Sequence, residues 1–399
     1  MKILIISQYF HPENFKINDI ALGLKERGHE VSVLTGIPNY PTGIFFDGYS
    51  KDSGDETWEG IKIYRSRLVP RGNGGARLFL NYLSFAFMAS KKIDLIKDSF
   101  DRILVYEPSP VTVGVPAMKA AKKFKAPYFF WVQDLWPESL TAAGGINNSL
   151  VLNFFDKLTR KIYNKAEKVL VQSEGFKDYI LSQEIPAEKL IFYPNSTEAY
   201  YHEKSPSEAY EKILPQGFKI MFAGNLGEAQ SLGTLLEAAE IVKKNGVEVK
   251  WVFLGNGRYR ETLEKTIAEK NLGDIVFLLG AFPGTEMPDF FASADALIAS
   301  LKKDKIFALT IPSKIQSYMA CGKPILASLD GEGAKIVESA ACGFSSAAEN
   351  AELLAENIIK LTRLSVEERQ KMGDNAVHYF NRNFEREMLL DKLISILKN

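Results

Sequence analysis

Short apolar runs alternate along the chain with longer stretches whose apolar positions recur at helical spacing. Lys2–Ile6 (KILII) is an apolar run of strand length that ends in the polar cluster around Ser7. Asn18 or Asp19 is placed to cap a helix with Ile20, Ala21 and Leu24 on one face; Gly28 closes it, and Val31–Leu34 is the next strand. Strands apolar on both faces belong in a parallel sheet covered by helices, so this reads as a βαβ unit. The same pattern predicts strands at Ile103–Tyr106, Tyr128–Val132, Lys168–Gln172 and Ile191–Tyr193.

Between Pro194 and Pro215 the alternation lapses into a polar, proline-containing stretch, then restarts as if from the beginning. Lys219–Ala223 (KIMFA) is a strand, Gly224–Gln230 a glycine-containing turn, and Ser231–Lys244 a helix with Leu232, Leu235, Leu236, Ala239 and Val242 on one face. Strands follow at Trp251–Leu254, Ile275–Leu279, Ala296–Ser300 and Pro324–Ser328. The expected architecture is α/β, with two Rossmann-like, doubly wound domains facing a central cleft, where the strand ends bind ligands. The domains are expected at residues 1–195 and 217–380, joined by a linker at 196–216. A C-terminal helix within 381–399 is a candidate to cross back to the first domain.

Composition narrows the possibilities. The 399 residues are 46% hydrophobic and 12% aromatic, enough to bury a core in each domain and too apolar for disorder. Lysine and arginine number 49 against 49 acidic residues, without the basic excess of a dedicated nucleic-acid binder. Two cysteines, Cys321 and Cys342, make neither a disulfide framework nor a four-ligand zinc site. The apolar run in MKILIISQYF is too short for a signal peptide, and no run reaches the roughly 18 residues of a membrane span. A cytoplasmic chain, at most peripheral to a membrane, is expected.

Chemistry concentrates in a few turns. In Ala223–Gly233 (AGNLGEAQSLG), Gly224, Asn225 and Gly227 lie between a buried strand and a helix start, where backbone N–H groups and the helix dipole favour a phosphate. The glycines are equally explained as a tight turn, and the spacing does not match the G-x-x-x-x-G-K-[ST] loop. Leu254-Gly255-Asn256-Gly257-Arg258-Tyr259-Arg260 repeats the theme, although its arginines read slightly better as a solvated first turn. In Ile311–Pro324 (IPSKIQSYMACGKP), Pro312 precedes Ser313 and Lys314 at a helix start, with Lys302, Lys303 and Lys305 just upstream. A basic loop aimed at a helix N-terminus suits a diphosphate.

In the first half, Asp134 follows the strand Tyr128–Val132 in WVQDLWPE, where it suits either sugar hydroxyls or a helix cap. Asn14–Asn18, which includes Lys16, and the loop Gly36–Gly43 fall at the same sheet end. RLFLNYLSFAFM, Arg77–Met88, is too short to span a bilayer, and it is flanked by Arg67, Arg71, Arg77, Lys91 and Lys92. It fits an interfacial helix or a buried one. Charge favours the first: residues 61–125 hold 13 basic and 4 acidic side chains. No Asp-x-Asp pair follows a strand, no His-Glu-x-x-His occurs, and the four histidines are scattered, so no metal site is expected.

SQYFHPENFKINDIALGLKERGHEVSVLTGIPNYPTG, WVQDLWPES, AGNLG and PSKIQSYMACGKPI, in this order, resemble glycosyltransferase family 4, with its two-domain GT-B fold. Within it, the similarity is to the amino-deoxysugar transferases of bacterial O-antigen and capsule assembly, including the L-fucosamine transferases. The resemblance implies metal-independent, retaining transfer from a nucleotide sugar, usually UDP-linked, with no cofactor. The implied acceptor is a lipid-linked (undecaprenyl-diphosphate) saccharide at the inner face of the cytoplasmic membrane, approached through the 61–125 region.

By motif position, Gly224, Asn225 and Gly227 would face the donor diphosphate, Ser313 and Lys314 its phosphates, and Ser317 the ribose. Many members carry Arg where Asn225 stands and Lys near Gln230. Here that charge would come from Lys302, Lys303, Lys314 or Lys16. Two glutamates common in the family fall at Leu309 and Ser317. Asp134, in a region where the family often has His, and Lys314 are the candidate catalytic residues. The competing readings are a GT-B sugar-nucleotide epimerase and a non-catalytic sugar-nucleotide-binding assembly protein.

Overall fold

The computed structural model describes residues 1–72, 75–140 and 148–399, without the side chain of Ala76. The chain forms two compact units: Met1–Tyr193 with Leu389–Asn399, and Pro194–Met388.

The first unit is built on eight strands: β1 (Lys2–Ile6), β2 (Glu30–Gly36), β3 (Glu56–Trp58), β4 (Ile61–Ser66), β5 (Arg102–Glu107), β6 (Tyr128–Val132), β7 (Lys168–Val171) and β8 (Leu190–Phe192). Their order is β3-β4-β2-β1-β5-β6-β7-β8, parallel except for the β3–β4 pair. The register sets Ile3 against Val31 and Ile5 against Leu104. Every strand residue from Ile3 to Ile6 and from Phe129 to Val132 is buried, as a sheet covered on both faces requires.

β3 and β4 add to the sequence expectation. IKIYRS carries two charges, so it lacks an apolar run; Arg65 is buried there by pairing with Glu56. The first helix also begins earlier than expected, at Lys16, with Phe15 as an extended cap. Asn18 is free to turn back, and its side chain donates to Glu13 O at 2.8 Å.

The second unit holds β9 (Lys219–Ala223), β10 (Lys250–Leu254), β11 (Val276–Gly280), β12 (Ala296–Ser300), β13 (Ile325–Ser328) and β14 (Gly343–Ser346). They form one parallel sheet, β11-β10-β9-β12-β13-β14, around Phe222, Leu235, Trp251, Ile298 and Leu354. In each sheet the chain leaves its first strand in one direction and later returns to fill the other side. Such a switch point is where open α/β sheets bind ligands.

The polar stretch after Pro194 packs within the second unit. Asn195, Ser196 and Thr197 are buried, and Gln316 donates to Asn195 O at 2.7 Å. At the other end, helix Val366–Asn383 opens with a capping box made by Ser365 and Glu368. Helix Arg386–Lys398 then crosses back, its residues from Leu389 onward joining the first unit. Tyr193 OH donates to Leu389 O at 3.1 Å, Arg102 Nε to Leu397 O at 2.5 Å, and Arg27 pairs with Asp391 at 2.7 Å.

The apolar stretch near Arg77–Met88 lies in helix Gly75–Leu95. One face, with Tyr82, Phe85, Ala86, Ala89 and Ile93, is buried, while Leu80, Leu83 and Phe87 are exposed. Among the described residues no helix is long and apolar enough to cross a membrane.

Candidate functional site

Two glycine turns abut at the carboxyl end of the second sheet. After β9, Gly224 takes φ 138°, and after β10, Gly255 takes φ 150°, both in the region that favours glycine. A Cβ on Gly255 would lie 1.8 Å from Gly224 O, so no side chain fits there. Leu226 N donates to Asn256 O at 2.9 Å, and Tyr259 N to Leu226 O at 3.0 Å, locking the turns together. Asn225 is exposed, with its side chain lying between Gly227 and Gly257.

Helix Ser313–Ala320 is pinned against this turn by Tyr318, whose buried hydroxyl accepts from Ala223 N at 3.0 Å. Lys314, in the helix's first turn, thereby reaches Gly224: a Cβ added there would meet its Cε at 2.7 Å. The Lys314 ammonium donates to Gln230 Oε1 and sits 3.7 Å from the centre of the Phe222 ring. Loss of water around it pulls its pKa down to about 7. The arrangement is a half-buried cation held by an amide oxygen and a ring face, beside a glycine turn rich in backbone donors.

The other sequence candidates in this unit sit in differing surroundings. Ser313 is exposed at the helix start. Lys302 donates to Glu228 at 2.5 Å, and that hydrogen bond raises its pKa, so its charge is already matched. Ser317 is 9% exposed; its hydroxyl is 2.8 Å from Thr197 Oγ1 and 3.3 Å from Ser313 O. Leu309 ends the short helix Lys305–Leu309.

Asp134 and Lys16 belong to the first unit. Asp134 follows β6, and its carboxylate accepts from the Ser139 hydroxyl. Burial raises its pKa, against the pull of Ser139 and Ser109. Lys16 is the first residue of helix Lys16–Glu26.

Two residues that sequence reasoning placed in no site bear on this end of the sheet. Glu107, the last residue of β5, is fully buried, with the backbone N–H groups of Gln133 and Asp134 its nearest polar neighbours. Burial, with the nearby Asp134 charge second, pushes its pKa well above the carboxylate range. The sequence signal was an acid closing an apolar strand. Arg71 is the second; its guanidinium donates to Tyr9 OH at 2.7 Å. Among the described residues no three His, Cys, Asp or Glu side chains gather as a metal-ion site.

Comparisons with known proteins agree on one family. Residues 16–196 match the family described as Glycosyl transferase 4-like domain, and residues 207–379 match Glycosyl transferases group 1. The probable glycosyltransferase WbjE of Pseudomonas aeruginosa is 23% identical over 84% of this chain and 82% of its own length. The putative colanic acid biosynthesis glycosyl transferase WcaI of Escherichia coli K12 is 24% identical over 81% and 82%. Among solved structures, HepE of Anabaena in complex with UDP and glucose has a TM-score of 0.72 at 17% identity, covering all of both chains. WaaG, a glycosyltransferase involved in lipopolysaccharide biosynthesis, has a TM-score of 0.70 at 14% identity over 100% and 99%. The chain therefore belongs to the family 4 glycosyltransferases of GT-B fold.

Proposed function

We propose that the chain is a retaining, metal-independent glycosyltransferase. It moves an amino-deoxysugar from a UDP-linked donor to a lipid-linked saccharide during bacterial polysaccharide assembly. The names of WbjE and WcaI support the reaction class, colanic acid synthesis by WcaI supports the polysaccharide, and the UDP held by HepE supports the nucleotide. The observation that carries the reading is the half-buried Lys314 ammonium beside Gly224, a cation at a glycine turn with no carboxylate partner among the described residues.

Glycosyl transfer breaks the bond between the anomeric carbon and the diphosphate while positive charge grows on the sugar. The departing diphosphate needs cations and N–H dipoles fixed in advance, and loss of one such donor costs about 2.7–4 kcal/mol in studied enzymes. Lys314 and the start of its helix meet that need; the turn at Gly224, Asn225 and Gly227 lines the same phosphates. Ser313 and Ser317 are secondary donor contacts in this reading, whereas Lys302 is held by Glu228 and Lys16 belongs to the first unit. Asp134 orients the acceptor hydroxyl, whose oxygen forms the new bond to the anomeric carbon as its proton passes to the departing diphosphate.

The acceptor reaches the protein at the inner face of the cytoplasmic membrane. Exposed Leu80, Leu83 and Phe87 on one helix, and Leu150 and Phe154 on another, offer apolar side chains. Phe79 and Phe155 from the same helices meet edge-on at 5.8 Å, so the two helices adjoin there. Lys91 stands 4.4 Å over the Phe87 ring, giving the patch the cationic rim that anionic lipid attracts.

The test is a panel of nucleotide sugars offered with undecaprenyl-diphosphate-linked saccharides, with and without EDTA, read by mass spectrometry. Acceptor mass increasing by one amino-deoxysugar, unchanged by EDTA, is expected. Free sugar and nucleotide released without acceptor would identify an epimerase instead. UDP binding without turnover across the panel would leave an assembly protein.

A further inference from the structure

We propose that the first unit carries an anion-recognition site built on Arg71, Tyr9, Phe15 and Tyr40. Its ligand is a phosphoryl or carboxylate group set beside a sugar ring. The proposal rests on the reading of this unit as the acceptor side.

Arg71 is a guanidinium that has no counter-ion among the described residues. Its backbone N–H donates to Asn39 Oδ1 at 2.8 Å, and one guanidinium nitrogen donates to the Tyr9 hydroxyl at 2.7 Å. Among the described residues it makes no ion pair, and the groups that act on it most strongly are the phenols of Tyr9, Tyr82 and Tyr40. Other arginines of this sheet end are matched: Arg65 by Glu56 and Arg67 by Asp52. The nearby buried acid, Glu13, is committed elsewhere. Its carboxylate accepts from Tyr40 N at 2.7 Å, Asn39 N at 2.8 Å and Phe10 N at 3.3 Å. A guanidinium offers five N–H donors in a planar fork, and only one is engaged by a side chain here. A part-buried cation in this state favours an anion that takes the rest of the fork.

Aromatic rings flank the guanidinium. The guanidinium carbon lies 4.9 Å from the Tyr40 ring centre and 5.8 Å from that of Tyr9. Phe15 stacks on Tyr9 at 5.0 Å with 10° between planes, and it meets Tyr40 edge-on at 5.1 Å. Tyr9 is buried, whereas Tyr40 is 37% exposed, so the cluster opens to solvent along the Tyr40 side. An aromatic face beside a cationic fork suits a sugar ring next to a negative group. Two sources share that chemistry: the diphosphate of a lipid-linked saccharide and the carboxylate of an acidic sugar.

Calorimetric titration of the intact protein, with no donor present, separates them. The probes are inorganic pyrophosphate, farnesyl diphosphate and methyl glucuronide. With Arg71→Gln, at least one probe should bind about tenfold or more weakly, and Arg71→Lys, which keeps charge but not the fork, should fall between. Loss confined to the diphosphates assigns the lipid-linked group, and loss confined to the glucuronide assigns an acidic sugar. Lys314→Gln serves as the control for pyrophosphate bound in the second unit, and it should leave the Arg71-dependent component intact. Wild-type protein that binds none of the probes, or Arg71→Gln and Arg71→Lys proteins that bind all of them as wild type does, would overturn the proposal. Because no donor is used, failure here is separable from failure of the transferase reading.

Discussion

Lys314 and Gln230 lie 84 residues apart in the chain, and the ammonium of one donates to the amide oxygen of the other. Family 4 members often carry a lysine near the Gln230 position. In this chain a cation reaches the same place from the first turn of helix Ser313–Ala320. Lys314→Gln should therefore weaken UDP binding by roughly 10- to 100-fold, the range of a hydrogen bond to a charged group. Calorimetry against UDP measures it; unchanged affinity would remove Lys314 from the donor site.

The same lysine sets a pH dependence. Its pKa in the folded protein is near 7, below the ordinary 10.5 of an unfolded chain, so the unfolded state holds more protons between those values. This group makes stability rise with pH across the window from about 7 to 10.5. Lys314→Met should flatten that slope in denaturant melts at stepped pH, and be more stable than wild type at its lower end.

Glu107 has the opposite sign. Burial lifts its folded pKa above the ordinary 4.5, so its neutral form belongs to the folded state. The stability it contributes is present below pH 4.5 and is lost as pH rises through the folded value. Glu107→Gln, which cannot ionise, should match wild type in acid and exceed it at neutral pH; parallel curves would contradict this.

Gly224→Ala puts a methyl group against Lys314 and forces φ 138° on an alanine. The cost should exceed about 1 kcal/mol in chemical denaturation. UDP affinity should fall with it, since the intruding Cβ displaces the ammonium.

For Asp134→Asn, turnover should drop with UDP affinity unchanged, because the two residues' assigned ligands differ. Equal turnover would end the assignment.

Phe87→Glu, on an exposed face, should change stability by no more than about 0.5 kcal/mol. It should reduce flotation with anionic liposomes, as should added salt for the wild type. Undiminished flotation would move the lipid contact elsewhere.

The strands whose both faces are apolar, β1, β6, β9 and β12, were legible because their runs are unbroken, and at β9 because the turn that follows carries glycine. β4 was not, because an arginine stabilised by a partner nine residues earlier looks like surface until the partner is seen. Lys314 was legible as a candidate, since position at a helix start is local information. That Lys302 is neutralised by Glu228 was not, because 74 residues separate the pair. Arg71 escaped for a related reason: its solitude is a property of neighbours that only folding assembles.

Helix Arg386–Lys398 has a consequence for the order of synthesis. Residues 1–193 leave the ribosome first, yet Arg102, Tyr193 and Arg27 find their partners in Leu397, Leu389 and Asp391, which emerge nearly two hundred residues later. The first unit to be translated is thus the last to be finished, and the second must be fully extruded before the first can close. A nascent chain stalled after Tyr193 should expose the apolar surface that Leu389, Leu390, Leu393 and Leu397 cover, and a chaperone would meet it there.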